Sequence, residues 1–277
     1  RPADAPFLEA RRVEVAAPWW TAFERRLQIH AIHMTDWRMA VETFPGGRSS
    51  LPRLRLGRRE GGGFTTTVSY VTASRGQFTY ADHATPWRTV ARNLDIAVFR
   101  AGGRYRGVAS FSNGTVSIMA FEPMRADLAA TFHIDGSRIR LDRIDLRTDG
   151  SRSIVRGEVN LARWPEQVYH VRSRLDLPQV RRIFFAGERV ELAGEAAFDG
   201  RFRLFRGGRV LEGRFESASA GFGAHRFQDV RGSVTWLPDR LDVSGVTATF
   251  LDGRTRLTYR MWKPPRGRWR ARLDAAY

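Results

Sequence analysis

The stretch Arg-Ile-Arg-Leu-Asp-Arg-Ile-Asp-Leu-Arg-Thr-Asp-Gly, residues 138–150, indicates how this chain folds. Apolar and polar residues alternate along it, which is typical of a β-strand with one buried face. The alternation shifts by one residue near its middle, as a β-bulge requires. The closing Asp149-Gly150 tolerates the positive φ of a tight hairpin turn. The stretch therefore predicts a bulged strand and a turn, with four apolar residues on one face: Ile139, Leu141, Ile144 and Leu146.

The same pattern recurs about a hundred residues later. There the apolar positions are Leu241, Val243, Val246 and Ala248, and the turn is Asp252-Gly253. Such turn dipeptides recur along the chain, so the sequence predicts a long antiparallel meander. The remaining dipeptides are Gly102-Gly103, Asn113-Gly114, Asp135-Gly136, Asp199-Gly200 and Gly207-Gly208.

Helix signals are scarce. Pro18 fits the first turn of a short helix that carries Trp19, Trp20, Phe23 and Leu27 at helical spacing. Residues 178–185 predict a second helix of one or two turns. The glycine-rich stretch 57–63 is the one plausible boundary, so we expect an N-terminal segment, 1–56, continuous with a repeating β-portion, 64–277.

The net charge of +17 has two explanations that the sequence leaves open. Lys263 is the sole lysine, and the arginines alternate with apolar residues along strands, which favours solvated outer faces. The alternative is a preference for acidic surfaces or lipid headgroups. The chain has no cysteine and therefore no disulfide or thiolate metal site. No run of about 18 apolar residues predicts a membrane-spanning helix.

No catalytic motif is present: the sequence has no Gly-x-Ser-x-Gly, His-Glu-x-x-His, phosphate-loop or calcium-loop pattern. His30 and His33 are three residues apart in a predicted strand, where an odd separation places side chains on opposite faces. We therefore expect a protein that is not an enzyme and uses no metal or cofactor.

Two regions resemble bacterial AsmA-like and TamB-related envelope proteins. The first joins Val13-Glu-Val15 to Leu27-Gln-Ile29-His-Ala-Ile32-His-Met34 and to Gly46-Gly47-Arg-Ser-Ser-Leu51-Pro52. The second contains Leu175-Asp-Leu177-Pro178 and Leu192-Ala-Gly194. These motifs consist of apolar spacing and glycines, without a reactive residue. The resemblance implies an all-β fold: an elongated, curved, open antiparallel β-groove with one or two short helices.

The resemblance also implies a function. Its members are periplasmic proteins, usually tethered to the inner membrane by an upstream helix, and they are implicated in moving phospholipid between the two membranes or in outer-membrane assembly. We expect this chain to be a piece of such a protein, with phospholipid, outer-membrane assembly proteins and the inner-membrane surface as partners, and no nucleic acid. The residues expected to line the groove, unless they form a sealed core, are Ile139, Leu141, Ile144, Leu146, Leu241, Val243 and Val246.

Two further interpretations concern surfaces. Trp19 and Trp20 are candidates for contact with a membrane interface, or alternatively for a plug that closes one end of the sheet. The alternative function is a β-rich binding module for acidic polysaccharide or for an envelope protein.

Overall fold

The protein forms one open, curved sheet of fifteen strands, in which every strand lies beside its sequence neighbours. This computed structural model describes residues 6–22, 26–52, 65–84, 87–118, 121–186, 191–265 and 267–276. The strands are β1 (Leu8–Ala16), β2 (Arg26–Thr43), β3 (Thr65–Asp82), β4 (Trp87–Ala101), β5 (Arg104–Ile118), β6 (Met124–Asp135), β7 (Arg138–Thr148), β8 (Ser151–Asn160), β9 (Gln167–Asp176), β10 (Leu192–Phe205), β11 (Gly208–Phe222), β12 (His225–Leu237), β13 (Arg240–Phe250), β14 (Gly253–Trp262) and β15 (Arg270–Ala276).

The predicted all-β, open architecture is confirmed, with one departure from a simple meander. β2 and β3 pair in parallel, whereas the other neighbouring strands are antiparallel. A parallel pair needs a long crossover connection instead of a hairpin, and residues 44–64 supply it. The boundary expected at 57–63 falls in this connection and lies outside the described residues.

Two of the seven predicted turns are wrong. Asn113 has a φ of 56°, but Asn113-Gly114 lies at a bulge inside β5, so the strand continues instead of reversing. Asp199-Gly200 lies within β10, where Gly200 pairs with Val171 and Gly213. The other five dipeptides lie at hairpin turns or within one residue of them.

The repeated bulged strand is confirmed. In β7 the pairing with β8 slips by one residue between Leu141 and Ile144. In β13 the pairing with β14 slips in the same way between Val243 and Val246. Each bulge keeps the apolar residues before and after it on one face of the sheet.

The helices are short. After Pro18 the chain forms a 3-10 turn at Trp19–Ala22, and β2 begins at Arg26, so the helix predicted to reach Leu27 is wrong in length. The second prediction is confirmed as α1 (Leu177–Phe184), where Asp176 accepts a hydrogen bond from Gln179 N at 3.0 Å. Among the described residues, no helix is long and apolar enough to cross a membrane.

The molecule exposes more surface than a compact protein of its mass. Its accessible surface is 18310 Å² for 31.5 kDa, whereas a compact monomer of this size exposes about 12,000 Å². No described side chain is less than 2% exposed. The sheet is therefore only partly covered by a second layer.

Candidate functional site

One face of the sheet carries an apolar residue or glycine at the same register position of every strand; we call it the apolar face. Paired neighbours connect these positions from β1 to β15 without a polar residue. Because side chains alternate between faces, a continuous row of this kind requires the register of all fourteen pairings to agree. The row is Val13, Met34, Ala73, Ile96, Ala109, Ala130, Ile144, Val155, Val171, Gly200, Gly213, Val234, Val243, Tyr259 and Leu273.

The seven candidate groove residues all lie on the apolar face. Ile144 is 8% exposed and packs in a cluster with Ala130 and Val155. Val246 is also buried, whereas the remaining five are half-buried. The structure brings the candidates into two groups, on β7 and on β13, and their contact with lipid stays a prediction.

Aromatic rings lie flat on the apolar face over neighbouring glycines. A Cβ on Gly107 would lie 2.3 Å from the ring of Phe132, and one on Gly232 would lie 2.8 Å from the ring of Phe215. The missing side chains leave room for rings that would otherwise project from the sheet. Three further glycines, Gly76, Gly157 and Gly200, are covered by Trp37, Tyr169 and Phe198.

The sheet curls so far that distant strands meet across the apolar face. Trp87 at the start of β4 contacts Phe202 near the end of β10, with ring centroids 5.8 Å apart. Trp164 reaches Tyr80 of β3 at 5.8 Å, and Phe202 stacks on Tyr169 at 6.1 Å. We call these five residues the aromatic seam. Because the seam lies on the apolar side, that side is the concave one.

Sequence patterns did not indicate the aromatic seam. The six steps from β4 to β10 accumulate roughly 120–150° of rotation at about 20–25° of twist per strand. This rotation brings the start of one strand over the end of the other. The only signal available was the position of bulky aromatic residues at strand ends.

Buried polar groups support the aromatic seam. Trp164 Nε1 donates a hydrogen bond to Thr43 Oγ1 at 3.2 Å, and the Tyr80 hydroxyl lies 3.5 Å from the same oxygen. Burial raises the pKa of Tyr80 to about 12. Burial also lowers the pKa of Arg209, and the negative charge of Asp82 opposes that shift. Asp82 and Arg209 are 6% and 4% exposed, so both residues are largely shielded from water.

A second closure lies beyond the aromatic seam. Phe121, Phe184 of α1 and Trp236 of β12 form a triangle with centroid distances of 5.2 to 6.3 Å. Phe185 contacts Tyr259 of β14 at 6.4 Å. The curled sheet is therefore closed by side-chain contacts along part of its length.

The two ends of the apolar face remain exposed. On β1, Val13 and Val15 are 55% and 57% exposed, and Leu273 of β15 is 46% exposed. Trp19 and Trp20 contact each other edge to face at 6.1 Å and are 75% and 55% exposed. Because most of each ring is exposed, the plug interpretation of this pair is not favoured.

Two cavities are found on the opposite, outer face. One of about 910 Å³ extends from β7 to β13, and one of about 430 Å³ extends from β3 to β7. In the described part of the chain, no group of His, Cys, Asp or Glu is arranged to hold a metal ion. No protein-family model matches the chain, and no curated protein or solved structure is detectably similar to it.

Proposed function

We propose that this protein is a noncatalytic lipid-transfer component of the bacterial envelope. Phospholipid acyl chains lie against the apolar face, and the headgroups stay at the wet rim of the curled sheet. The periplasmic location and the traffic between inner and outer membranes follow from the resemblance to AsmA-like and TamB-related proteins.

The observation that carries the proposal is the continuous apolar row, which reaches both edge strands. A sheet normally buries its apolar face against another layer. In the described residues, the one α-helix that could cover the sheet is the eight-residue α1, and only Ile183 of it is buried. Fatty acyl chains suit the remaining half-buried strip, because they require apolar contact and no specific polar partner.

The energetics favour a sliding ligand. Each methylene removed from water contributes about 0.8 kcal/mol. Two largely covered acyl chains would therefore offset on the order of 20 kcal/mol of the cost of leaving a bilayer. Because hydrophobic contact is non-directional, no specific polar interaction holds an acyl chain at one position on the accessible part of the apolar face.

The aromatic seam fits this mechanism because side-chain contacts, and not backbone pairing, join the distant strands there. β1 and β15 do not pair, so the backbone ladder of the sheet stays open. The rings can separate without breaking a backbone hydrogen bond. A lipid can therefore enter at the exposed edge strands and pass beneath the seam.

The test places a charge on each face of one strand. Val243→Glu puts a carboxylate on the apolar face, and Ser244→Glu puts one on the exposed outer face at the adjacent residue. The purified variants are incubated with vesicles of phosphatidylethanolamine and phosphatidylglycerol, separated from them, and measured for bound phospholipid by mass spectrometry. Val243→Glu should lose most of the bound lipid, because an unpaired charge on an apolar surface is strongly unfavourable.

Ser244→Glu should load as the unchanged protein does. Circular dichroism confirms that both variants retain the sheet. Equal lipid loading of the two variants, or no lipid on the unchanged protein, would contradict the proposal.

A further inference from the structure

The larger cavity on the outer face is a groove lined by arginines. It crosses the seven strands β7 to β13 and is therefore about 29 Å long at about 4.8 Å between strands. A twisted sheet is saddle-shaped, so its outer face is concave along one diagonal. Its lining includes Arg147, Arg152, Arg172, Arg174, Arg214 and Arg231. We call it the arginine groove.

Three of these arginines form a row of like charges. Arg147 pairs directly with Arg152 across β7 and β8, and Arg152 pairs directly with Arg174 across β8 and β9. Like charges directly opposite each other in a sheet are destabilising. None of the three side chains forms an ion pair or a hydrogen bond with another described residue, and all three residues are exposed. The pKa of Asp145 is lowered mainly by its hydrogen bond to Arg143 and more weakly by the charge of Arg147, so the row is only partly balanced, by a carboxylate that already has a partner.

The carboxylates of the groove do not neutralise it. Of its three acidic residues, Asp145 is bound to Arg143 at 2.7 Å and Asp199 is bound to Arg172 at 2.9 Å. The third, Glu216, lies opposite Arg231 without forming an ion pair. The excess of positive charge therefore lies at the β7–β9 end of the groove, where four arginines and one carboxylate line it, whereas arginines and carboxylates balance over β10 to β13.

We propose that the arginine groove binds an extended strand of acidic polysaccharide. Guanidinium groups match carboxylate and phosphate oxygens in a two-point geometry, and a row of them on successive strands suits anionic groups that repeat along a chain. The groove lies on the face opposite the lipid site, so this inference does not depend on the proposed function.

The lining favours a glycan over single-stranded nucleic acid. Nucleic acid of that kind is held by bases stacked on exposed aromatic rings. The aromatic residues of the lining are Phe198 and Phe215, and these pair with each other on the apolar face, where Phe198 is 7% exposed. The outer face of the groove thus offers charge without a stacking surface.

The test uses the full chain and polygalacturonate, an unbranched uronic-acid polymer. The triple variant Arg147→Gln/Arg152→Gln/Arg174→Gln removes the row. A matched triple variant, Arg88→Gln/Arg106→Gln/Arg254→Gln, removes the same charge from exposed positions outside the groove that have no described ion pair. The row variant should bind polygalacturonate at least tenfold more weakly, and the matched variant less than threefold more weakly.

A variant that should bind polygalacturonate more tightly extends the test. Glu216→Gln removes the unpaired carboxylate and should tighten binding two- to threefold. Thermal unfolding checks folding, and the row variant should be at least as stable as the unchanged protein, because repulsion is relieved. Neutral dextran should not bind.

Three results would overturn the inference. The first is an equal loss of binding in both triple variants, which indicates bulk charge only. The second is no binding of polygalacturonate by the unchanged protein. The third is tighter, row-dependent binding of oligodeoxythymidylate or of phosphatidylglycerol vesicles than of the uronate polymer.

Discussion

Glycines lie beside aromatic residues on the apolar face, and this arrangement lets aromatic rings lie along the sheet. Gly157 pairs with Tyr169, and a Cβ there would lie 2.4 Å from the carbonyl oxygen of Val168 and 2.6 Å from the Tyr169 ring. The ring can therefore lie along the sheet only over a glycine. The sequence shows both residue types, but their pairing depends on strand register, so this feature could not be predicted from the sequence.

The carboxylate of Asp149 stabilises the start of β6 through a hydrogen bond to the backbone of Arg125. Its Oδ2 accepts a hydrogen bond from Arg125 N at 2.8 Å, and this bond is the main cause of its lowered pKa. Because the folded-state pKa lies below the unfolded value, the stabilisation is present above about pH 4 and is lost as the pH falls through the folded-state pKa. Asp149→Asn should lower the free energy of unfolding by about 1 kcal/mol at pH 7.

Urea denaturation at pH 7 and pH 3 measures this difference, which should shrink at the lower pH. Asp252→Asn, at another hairpin turn and exposed, is the control and should have no effect. A loss from Asp149→Asn that is as large at pH 3 as at pH 7 would exclude the charge as its cause.

For strands and turns, the sequence predicted the local backbone conformation better than whether the chain reverses there. The bulges of β7 and β13 were predicted from a break in the alternation, and the structure places both there. Asn113 adopts the positive φ expected of an Asn-Gly dipeptide, yet β5 continues through it. The same backbone geometry serves a turn or a bulge, and only pairing with β4 and β6 distinguishes them.

Two phenylalanines of β10 differ in their expected contribution to stability. Phe202 contacts Trp87 and Tyr169 in the aromatic seam, whereas Phe205 on the same strand is 43% exposed. Phe202→Ala should lower the free energy of unfolding by about 3 kcal/mol because it leaves a cavity. Phe205→Ala should cost less than about 1 kcal/mol. Urea denaturation measures the free energy of unfolding of both variants. A similar decrease in the two variants would show that the seam adds no stability.

For the whole molecule, the all-β meander was predictable because alternation and turn dipeptides are local, whereas the open and curved form of the sheet was implied only by the family resemblance. The parallel pairing of β2 and β3 was not predictable, since it depends on the route of residues 44–64. The aromatic seam was not predictable either, because it results from twist accumulated over many strands. The arginines were evident as alternating charges, but their convergence into one groove depends on the register of seven strands.

Site-specific photo-crosslinking shows whether the apolar face contacts acyl chains. A benzophenone amino acid is incorporated in place of Leu141, on the apolar face, and separately in place of Arg140, on the outer face. After exposure to phospholipid vesicles and illumination, mass spectrometry identifies the adducts. We expect phospholipid adducts at position 141 and few at position 140. Equal labelling at both positions, or labelling at position 140 alone, would contradict this expectation.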